Sequence, residues 1–324
     1  MSKLKIGIQL PTRDIVFSAG GKPKDAALTF AMAEGAAELG VDSVWVGDSL
    51  TSKPRLEPMS TLAAVGARVP KVRLGTNVLL AALRHPLLLA HTAASIDVMS
   101  EGRVVMAIGL GGTVSDALRL EWEYLGIAPK RRVSRLEESL VLMRKLWSES
   151  DVTFHGKHFD MENASLDLRP VQQPGIPMIL TCHLHSQVEA QFRRTARLGD
   201  GFITISDDPD EFSELRRLVG QYAQEEGRGD APMESIFSMT VNMNTDEEAA
   251  AKEADEFLLA YYGPNIAGFR RSRWGPYGRP ERILEQIQAY DRAGADTVIL
   301  RFAGFDPLGQ LKTFANEVWP ALKD

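Results

Sequence analysis

The chain contains very little cysteine: Cys182 is the only one among 324 residues. A lone cysteine cannot form an internal disulfide or build a thiolate metal cluster, and it is consistent with a reducing compartment. No run of about 18 apolar residues occurs, so no membrane span is expected. The opening residues, MSKLKIGIQLP, enter a strand pattern directly and lack the apolar core of a signal peptide. These absences together predict a cytoplasmic protein.

Positive charge is outnumbered by negative charge, with 37 Lys and Arg against 43 Asp and Glu and a net charge of −6. This balance argues against a nucleic-acid surface, which needs a basic face. Hydrophobic residues make up 44% and charged residues 25% of the chain, which is ordinary for a soluble protein with a substantial core. The length allows one large α/β domain or two smaller ones.

Three segments share one design: residues 36–42, 195–200 and 291–296. In each, a helical pattern ends at a glycine able to adopt the left-handed cap, an Asp follows, and a short apolar strand begins. Strands that are apolar on successive residues belong in a parallel sheet covered by helices. Eight strands of this kind are predicted, at Ile6–Leu10, Ser43–Val46, Arg73–Asn77, Val104–Ile108, Met178–Thr181, Phe202–Thr204, Ile236–Asn242 and Thr297–Arg301.

Helical patterns fill the gaps between these strands, and eight alternating units favour a closed (β/α)₈ TIM barrel. An open doubly wound sheet is the alternative, but no G-x-G-x-x-G follows the first strand, and Val114 stands where a third glycine would complete the later glycine run. We expect a single domain over residues 1–324, with insertions at about 113–177, which includes a hairpin at 152–159, and at about 243–281. The segment 261–280 is rich in Gly, Pro, Arg and aromatic residues and is predicted to be a long loop, with a lid as its favoured role.

In a barrel of this kind, side chains at the carboxyl ends of the strands face the active site. The predicted set is polar but contains one carboxylate, Asp48, so chemistry that needs two carboxylates has little support. No G-x-S-x-G motif supports a serine hydrolase. His183 and His185 alternate on an extended chain and could chelate a metal, which leaves a metal-dependent barrel hydrolase as an alternative of another class. The collected positions are Gln9, Pro11, Asp48, Ser49, Thr76, Asn77, Gly109, Gly111, Gly112, Thr181, His183, His185, Ser206, Asn242 and Arg301.

Two features of this set suit a flat, phosphorylated ligand. Gly109, Gly111 and Gly112 follow a strand, and glycine allows the backbone to approach a planar ring closely. The loop Thr181–Ser186 precedes a helix and offers backbone amides and the Ser186 hydroxyl to a phosphate.

The segment LGTNVLLAALRHPLLLAHTAASIDVMSEGRVVMAIGLGG resembles the luciferase-like flavin-dependent oxidoreductases, the superfamily of bacterial luciferase and alkanesulfonate monooxygenase. The shared pattern is a strand ending in Gly-Thr, an Arg-x-Pro turn, a helix ending in an Asp-x-x-Ser-x-Gly-Arg turn, and a strand with a glycine-rich end. GVDSVWVGDSL at 40–50, Arg135–Glu138 with Leu146-Trp147, and the LGDG at 198–201 add to the resemblance. It covers most of residues 4–206 and again 282–302.

The resemblance implies a barrel, usually dimeric or higher, that binds a reduced flavin at the carboxyl ends of its strands. It implies a non-proline cis bond at Asn77–Val78, on a bulge of the third strand behind the ring. Ser49, Thr76, Asn77, Val78, Gly109, Gly111 and Gly112 are then cofactor-binding residues, together with Thr181, His183 and Ser186 near the phosphate.

Two departures from the family pattern matter. Ser49 stands where many relatives have a histidine, and TCHLHS replaces a glycine-rich phosphate loop. Asp48 and His185 are the predicted acid and base.

The favoured activity is that of a monooxygenase that uses reduced FMN and O₂. A separate flavin reductase would supply the reduced FMN. The alternative is hydride transfer with the deazaflavin coenzyme F420. A mostly apolar pocket leads us to expect a neutral organic substrate.

Overall fold

The computed structural model describes residues 4–14, 25–263 and 274–323. Its strands are β1 (Lys5–Gln9), β2 (Ser43–Val46), β3 (Arg73–Leu79), β4 (Val104–Ile108), β5 (Val152–His155), β6 (Asp160–Ala164), β7 (Met178–Thr181), β8 (Gly201–Thr204), β9 (Glu234–Met243), β10 (Tyr277–Gly278) and β11 (Thr297–Phe302). Its α-helices are Ala27–Leu39, Pro58–Arg68, Pro86–Met99, Asp116–Glu123, Arg132–Ser148, Glu189–Leu198, Pro209–Glu225, Glu247–Tyr262, Pro280–Arg292, Pro307–Thr313 and Trp319–Lys323.

Eight parallel strands close into a barrel in the order β1-β2-β3-β4-β7-β8-β9-β11. β8 pairs with β9, and β11 pairs with both β9 and β1, so the ring has no open edge. All eight predicted strands are present, which confirms the (β/α)₈ prediction. Differences at the strand ends are of one or two residues, and β3 runs on to Leu79 because a bulge shifts its register against β4 between Thr76 and Leu79.

The barrel interior is filled by one buried cluster of side chains: Trp45, Val105, Ala107, Ile179, Ile203, Ile236 and Ile299. Trp45 reaches across two neighbouring strands, and Gly7 and Gly75 leave the space for its ring. A Cβ at Gly7 would lie 2.8 Å from Cδ1 of Trp45. The barrel is therefore a packed core, and its mouth at the carboxyl ends of the strands is the place for a site.

The repeated Gly-Asp design has a mechanical role at the opposite end of the barrel. The Asp42, Asp200 and Asp296 carboxylates accept backbone N–H bonds at the start of a neighbouring strand, from Ile6 at 2.8 Å, Met178 at 2.9 Å and Ser235 at 2.8 Å. Each Asp thus joins two strands of the ring.

The left-handed glycine cap was predicted at all three helix ends, and the structure corrects one of them. Gly40 and Gly294 have φ of +85° and +91°. Gly199 instead has φ −90° and ψ 160°, because the chain there extends directly into the strand.

Between β4 and β7 the chain forms two helices and the antiparallel hairpin β5–β6. The hairpin begins as predicted but runs on to Ala164. Of the predicted lid at 261–280, residues 264–273 lie outside the described residues. No helix in the described ranges is long and apolar enough to cross a membrane. Cys182 is a free thiol, fully buried, and burial raises its pKa to about 12.

Candidate functional site

Asn77 lies at the centre of the barrel mouth, on the bulge of β3. Its Nδ2 donates to Oε1 of Gln9 on β1 at 2.9 Å and to Oγ of Ser238 on β9 at 2.8 Å. The two acceptors are each 9% exposed. Because the partners come from strands on other sides of the ring, the amide is fixed in direction. The peptide bond from Asn77 to Val78 is cis, which confirms that prediction.

Val78 and Gly109 form an apolar contact beside this amide. Val78 packs on the side chains that fill the barrel interior. A Cβ on Gly109 would meet Cγ2 of Val78 at 2.5 Å, closer than real contacts allow. The missing side chain at Gly109 therefore lets Val78 pack directly against the backbone after β4. The Val78 side chain stays partly exposed, and as an apolar support it fits a planar ring.

The other glycines of this run face away from Val78. Gly111 has φ +77°, and a Cβ there would press on the buried ring of Trp122. Gly112 is exposed, and its carbonyl accepts the Trp122 indole N–H at 3.3 Å. Thr76, likewise predicted as a cofactor residue, is fully buried and donates to the carbonyl of Ala107 at 2.8 Å. These three residues support the wall of the site, and their cofactor contacts stay predictions.

Asp48 is buried, with 1% of its side chain exposed, and is held by several donors. Arg84 approaches both carboxylate oxygens, at 2.5 and 3.2 Å, and the Leu80 N–H donates at 2.9 Å. Arg84 also pairs with Glu57 at 3.0 Å. Burial opposes the Arg84 charge, but the hydrogen bonds and charges of Asp48 and Glu57 together outweigh it and raise the pKa of Arg84. Asp48 thus anchors the turn after β3, and a proton-transfer role for it stays a prediction.

The Ser49 side chain is hydrogen-bonded within the loop after β2 and to Glu121. Its hydroxyl donates to Oε1 of Glu121 at 2.8 Å, and the same oxygen accepts the N–H groups of Thr51 and Ser52 at 2.7 and 2.9 Å. Burial favours the neutral form of Glu121, but these bonds prevail and lower its pKa. Glu121 was absent from the predicted site because it lies on a helix, far from any strand end in sequence.

His183 and His185 come together with Asp207, and their ligand-type atoms lie within 4.8 Å of one another. Nδ1 of His185 lies 3.1 Å from Asp207, and Nδ1 of His183 lies 2.9 Å from the hydroxyl of Thr204. Burial lowers the pKa of His183 to about 4, although Asp207 opposes the shift. His183 is therefore neutral at pH 7.

The oxygens of Asp207 are already used within this cluster. They accept the Thr204 hydroxyl at 2.5 Å, the Leu184 N–H at 3.2 Å and the His185 ring. A metal ion would have to displace these donors, so the cluster fits a hydrogen-bonded scaffold better than a hydrolase centre.

The predicted phosphate loop is a short 3₁₀ turn, Leu184–Ser186. The Ser186 hydroxyl donates to the His183 carbonyl at 2.8 Å and accepts from the Gln191 amide at 2.8 Å. Thr181, at the end of β7, is half-buried. A phosphate contact by Thr181, His183 or Ser186 stays a prediction.

Cations and aromatic rings form the opposite side of the mouth. Arg55 donates to the Tyr261 hydroxyl at 2.7 Å. Arg301, on β11, donates to Thr240 at 2.7 Å and to the Tyr262 hydroxyl. Arg301 was among the strand-end candidates, whereas Arg55 and the tyrosines were not.

The geometry can be set beside known proteins at this point. The luciferase-like monooxygenase family matches residues 5–302. The chain belongs to this family. Among curated luciferase-like relatives, the F420-dependent glucose-6-phosphate dehydrogenase of Nakamurella multipartita is 28% identical over 321 residues, covering 90% of this chain and 91% of the relative. The corresponding protein of Microbacterium testaceum is 27% identical over 317 residues, covering 89% and 91%.

Solved structures share the fold across the whole luciferase-like chain. An F420-dependent secondary alcohol dehydrogenase, in complex with an F420-acetone adduct, superposes with a TM-score of 0.80 at 20% identity, covering 99% of this chain and 100% of the other. The monooxygenase RslO1 from Streptomyces bottropensis gives 0.79 at 22% identity, covering 98% and 99%. The chain is thus an oxidoreductase of the luciferase-like family, and both kinds of chemistry occur among the proteins it resembles.

Sequence reasoning did not identify two polar residues of the barrel mouth, Ser238 and Arg55. Ser238 lies in the middle of the ten-residue strand β9, so a rule based on strand ends passes over it. Arg55 lies in the loop after β2 and meets Tyr261, which is 206 residues away. The available clue was the aromatic and Arg-rich composition of segment 261–280, which was interpreted as a lid.

Proposed function

We propose that the chain is an F420-dependent oxidoreductase that transfers hydride between the deazaflavin and an organic substrate. The observation that carries this proposal is the polar and cationic lining of the mouth beside Val78, built from Gln9, Asn77, Ser238 and Arg55. Chemistry with O₂ is favoured by a dry pocket, because water promotes side reactions of the reduced ring. Hydride transfer depends less on a dry pocket, and a polar substrate suits it. The curated relatives named above, matched over about nine-tenths of this chain, add support.

FMN with O₂ was the favoured chemistry on the sequence alone, and the comparisons do not single it out. The names of the relatives include both F420-dependent dehydrogenases and a monooxygenase. The described lining of the mouth is what moves our proposal towards F420.

The residues of this chain have distinct parts in the proposed reaction. A bound deazaflavin supplies a ring that accepts or donates a hydride. Val78 would support one face of a bound ring, Gly109 lets Val78 pack against the backbone, and the Asn77 amide is held in direction by Gln9 and Ser238. Positioning of this kind contributes to the rate because the reacting atoms are already aligned.

Hydride transfer from an alcohol, or to the corresponding carbonyl group in the reverse direction, also moves a proton from or to the oxygen. His185 is the better placed of the two predicted groups, because its Nδ1 lies against Asp207 and its Nε2 is left for the proton. Asp48 would first have to release Arg84. We therefore propose His185 as the group that exchanges the proton and Asp48 as an anchor of the cofactor side.

Titration of the purified protein with F420 and with FMN, followed by absorbance and fluorescence, tests the proposal. We expect F420 to bind about tenfold or more tightly than FMN. Binding of neither compound below about millimolar concentration would refute any flavin-dependent function. Tight binding of reduced FMN with O₂ uptake, and none of F420, would replace the proposal by the monooxygenase.

A further inference from the structure

Three arginines converge on one aromatic ring at the barrel mouth. The guanidinium carbons of Arg13, Arg55 and Arg301 lie 5.4, 5.2 and 5.3 Å from the centroid of Tyr261. They come from the loops after β1 and β2 and from β11. Cations at this distance are attracted by the negative face of the ring.

A second set of aromatic contacts extends the same group. Nζ of Lys53 lies 5.0 Å from the ring centroid of Tyr262, and Arg301 lies 5.2 Å from Tyr262 and 5.5 Å from Trp274. The centroids of Tyr261 and Tyr262 are only 4.7 Å apart. Arg13, Lys53, Arg55 and Arg301 therefore form one group, which we call the cationic cluster.

Three members of the cluster are held without being neutralised by an ion pair. Within the described ranges, Lys53, Arg55 and Arg301 form no ion pair, whereas the arginines that brace the barrel, such as Arg73 and Arg84, pair with carboxylates. Arg301 is half-buried, and its hydrogen bonds to the described part of the chain all go to hydroxyl groups. Enclosed charges in proteins are normally paired, so aromatic faces hold these cations in place while their charge stays available.

The cations also repel one another. Burial, and then the nearby charge of Arg55, lower the pKa values of both Lys53 and Arg13. Two carboxyl groups lie near. Asp14 lines the same cavity, where burial raises its pKa to about 6, and Glu121 is already held by three donors. Lys53, Arg55 and Arg301 thus keep positive charge that a bound anion would relieve.

The cluster adjoins the proposed ring site. A narrow cavity is lined by Gln9, Tyr261 and Arg301, and Gln9 is the residue that fixes the Asn77 amide. Arg55 packs over Gly47, where an added Cβ would also lie 3.4 Å from the Asn77 carbonyl oxygen. An anion held by Arg55 and Arg301 beside this cavity would be next to the ring and on the side of β1, β2 and β11.

We propose that the cationic cluster binds an oxyanion of the substrate, a carboxylate or a phosphate, and so orients the reacting carbon over the ring. This deepens the proposed function and rests on it. The predicted phosphate loop of the cofactor lies at the ends of β7 and β8, across the barrel, so the two anions have separate places. The expected neutral substrate is accordingly replaced by an anionic one.

Isothermal titration calorimetry of the cofactor-free protein, with inorganic phosphate and with benzoate at constant ionic strength, tests this inference. We expect saturable binding of at least one of them, weakened about tenfold or more in Arg55→Gln and Arg301→Gln. If an arginine variant fails to fold, Lys53→Gln tests the same inference, because it removes one charge of the cluster from the face of Tyr262. Arg193→Gln is the matched control: Arg193 also lies over a tyrosine, Tyr222, at 4.4 Å, but pairs with glutamates on the outer surface.

F420 affinity, measured on the same variants, separates this inference from the proposed function. Loss of anion binding with F420 affinity within about twofold of the wild type supports a substrate site. A parallel loss of F420 affinity would overturn the inference, because the cluster would then hold the cofactor. Absence of saturable binding of both anions, or equal losses in Arg193→Gln, would also overturn it. Anion binding in a protein that never binds F420 would support the anion site and reject the proposed function.

Discussion

Replacing Gly109 by alanine is the sharpest test of where the cofactor ring lies. The new Cβ would stand 2.5 Å from Cγ2 of Val78, about 1 Å inside normal carbon–carbon contact. Val78 is stiff about χ1 and packs on the barrel interior, so it cannot swing away freely. Gly109 does not have a positive φ, and the effect is therefore steric. Overpacking of this kind costs about 1–3 kcal/mol.

The expected functional effect follows from the same displacement. If Val78 supports the ring, a shift of its methyl group should weaken F420 binding by about tenfold, or about 1.4 kcal/mol. Fluorescence titration with F420 measures this affinity, and thermal unfolding measures the cost to the fold.

Gly112→Ala is the comparator on the same loop. Its Cβ would meet the end of the flexible Leu118 side chain at 3.0 Å, so we expect affinity within about twofold of the wild type. The reasoning would be refuted if Gly109→Ala bound F420 normally, or if both variants lost the same affinity.

Two further predictions concern buried charge and pH. Arg84→Ala should destabilise the fold by about 3–5 kcal/mol, because it removes the ion pair of the buried Asp48 carboxylate. In denaturant unfolding, the control Arg119→Ala should lose less than about 1 kcal/mol, because the ion pairs of Arg119 are exposed. Similar losses in both variants would contradict a structural role for the Arg84–Asp48 pair. His183 has a folded pKa of about 4, below the unfolded value of about 6.5, so acidification from about pH 6.5 to 4 protonates the unfolded chain first and removes stability from the wild type. His183→Gln lacks this loss. Between pH 7 and 4.5 the free energy of unfolding of the wild type should therefore fall by about 2 kcal/mol relative to that of the variant. A difference that stays constant with pH would show that His183 titrates normally.

The fold was predictable from the sequence because its determinants are local. The strands are short apolar runs such as Val104–Ile108, each followed by a helix whose ends carry Gly, Pro or Asp. The pairing of Asp42 with the Ile6 N–H was not predicted, because it joins two strands across 36 residues of chain. The prediction of a left-handed conformation at Gly199 was wrong for a related reason: the following strand, and not the helix end, sets the backbone angles of this residue.

The candidate site was predictable only in part. Asn77, Val78 and Gly109 were identified from the family pattern, and the structure brings them together on neighbouring strands. Asp48 and Ser49 were placed correctly at a strand end, but their partners Arg84 and Glu121 redirect both side chains. Position along a strand could be read from sequence, whereas the direction of a side chain depended on residues far away in the chain.

The sequence by itself determined the alternation of strands and helices, the closed barrel and the family, because periodicity, caps and the motif around Asn77 are written in contiguous residues. Only the tertiary structure decided which cations and aromatic rings line the mouth. Barrel closure brings β11 against β1, and with it Arg301 towards the loop that carries Arg55 and towards Tyr261. The contact between Arg55 and Tyr261 spans 206 residues, and no local pattern specifies such contacts. The shift from an expected neutral substrate to a proposed anionic one comes from that closure alone.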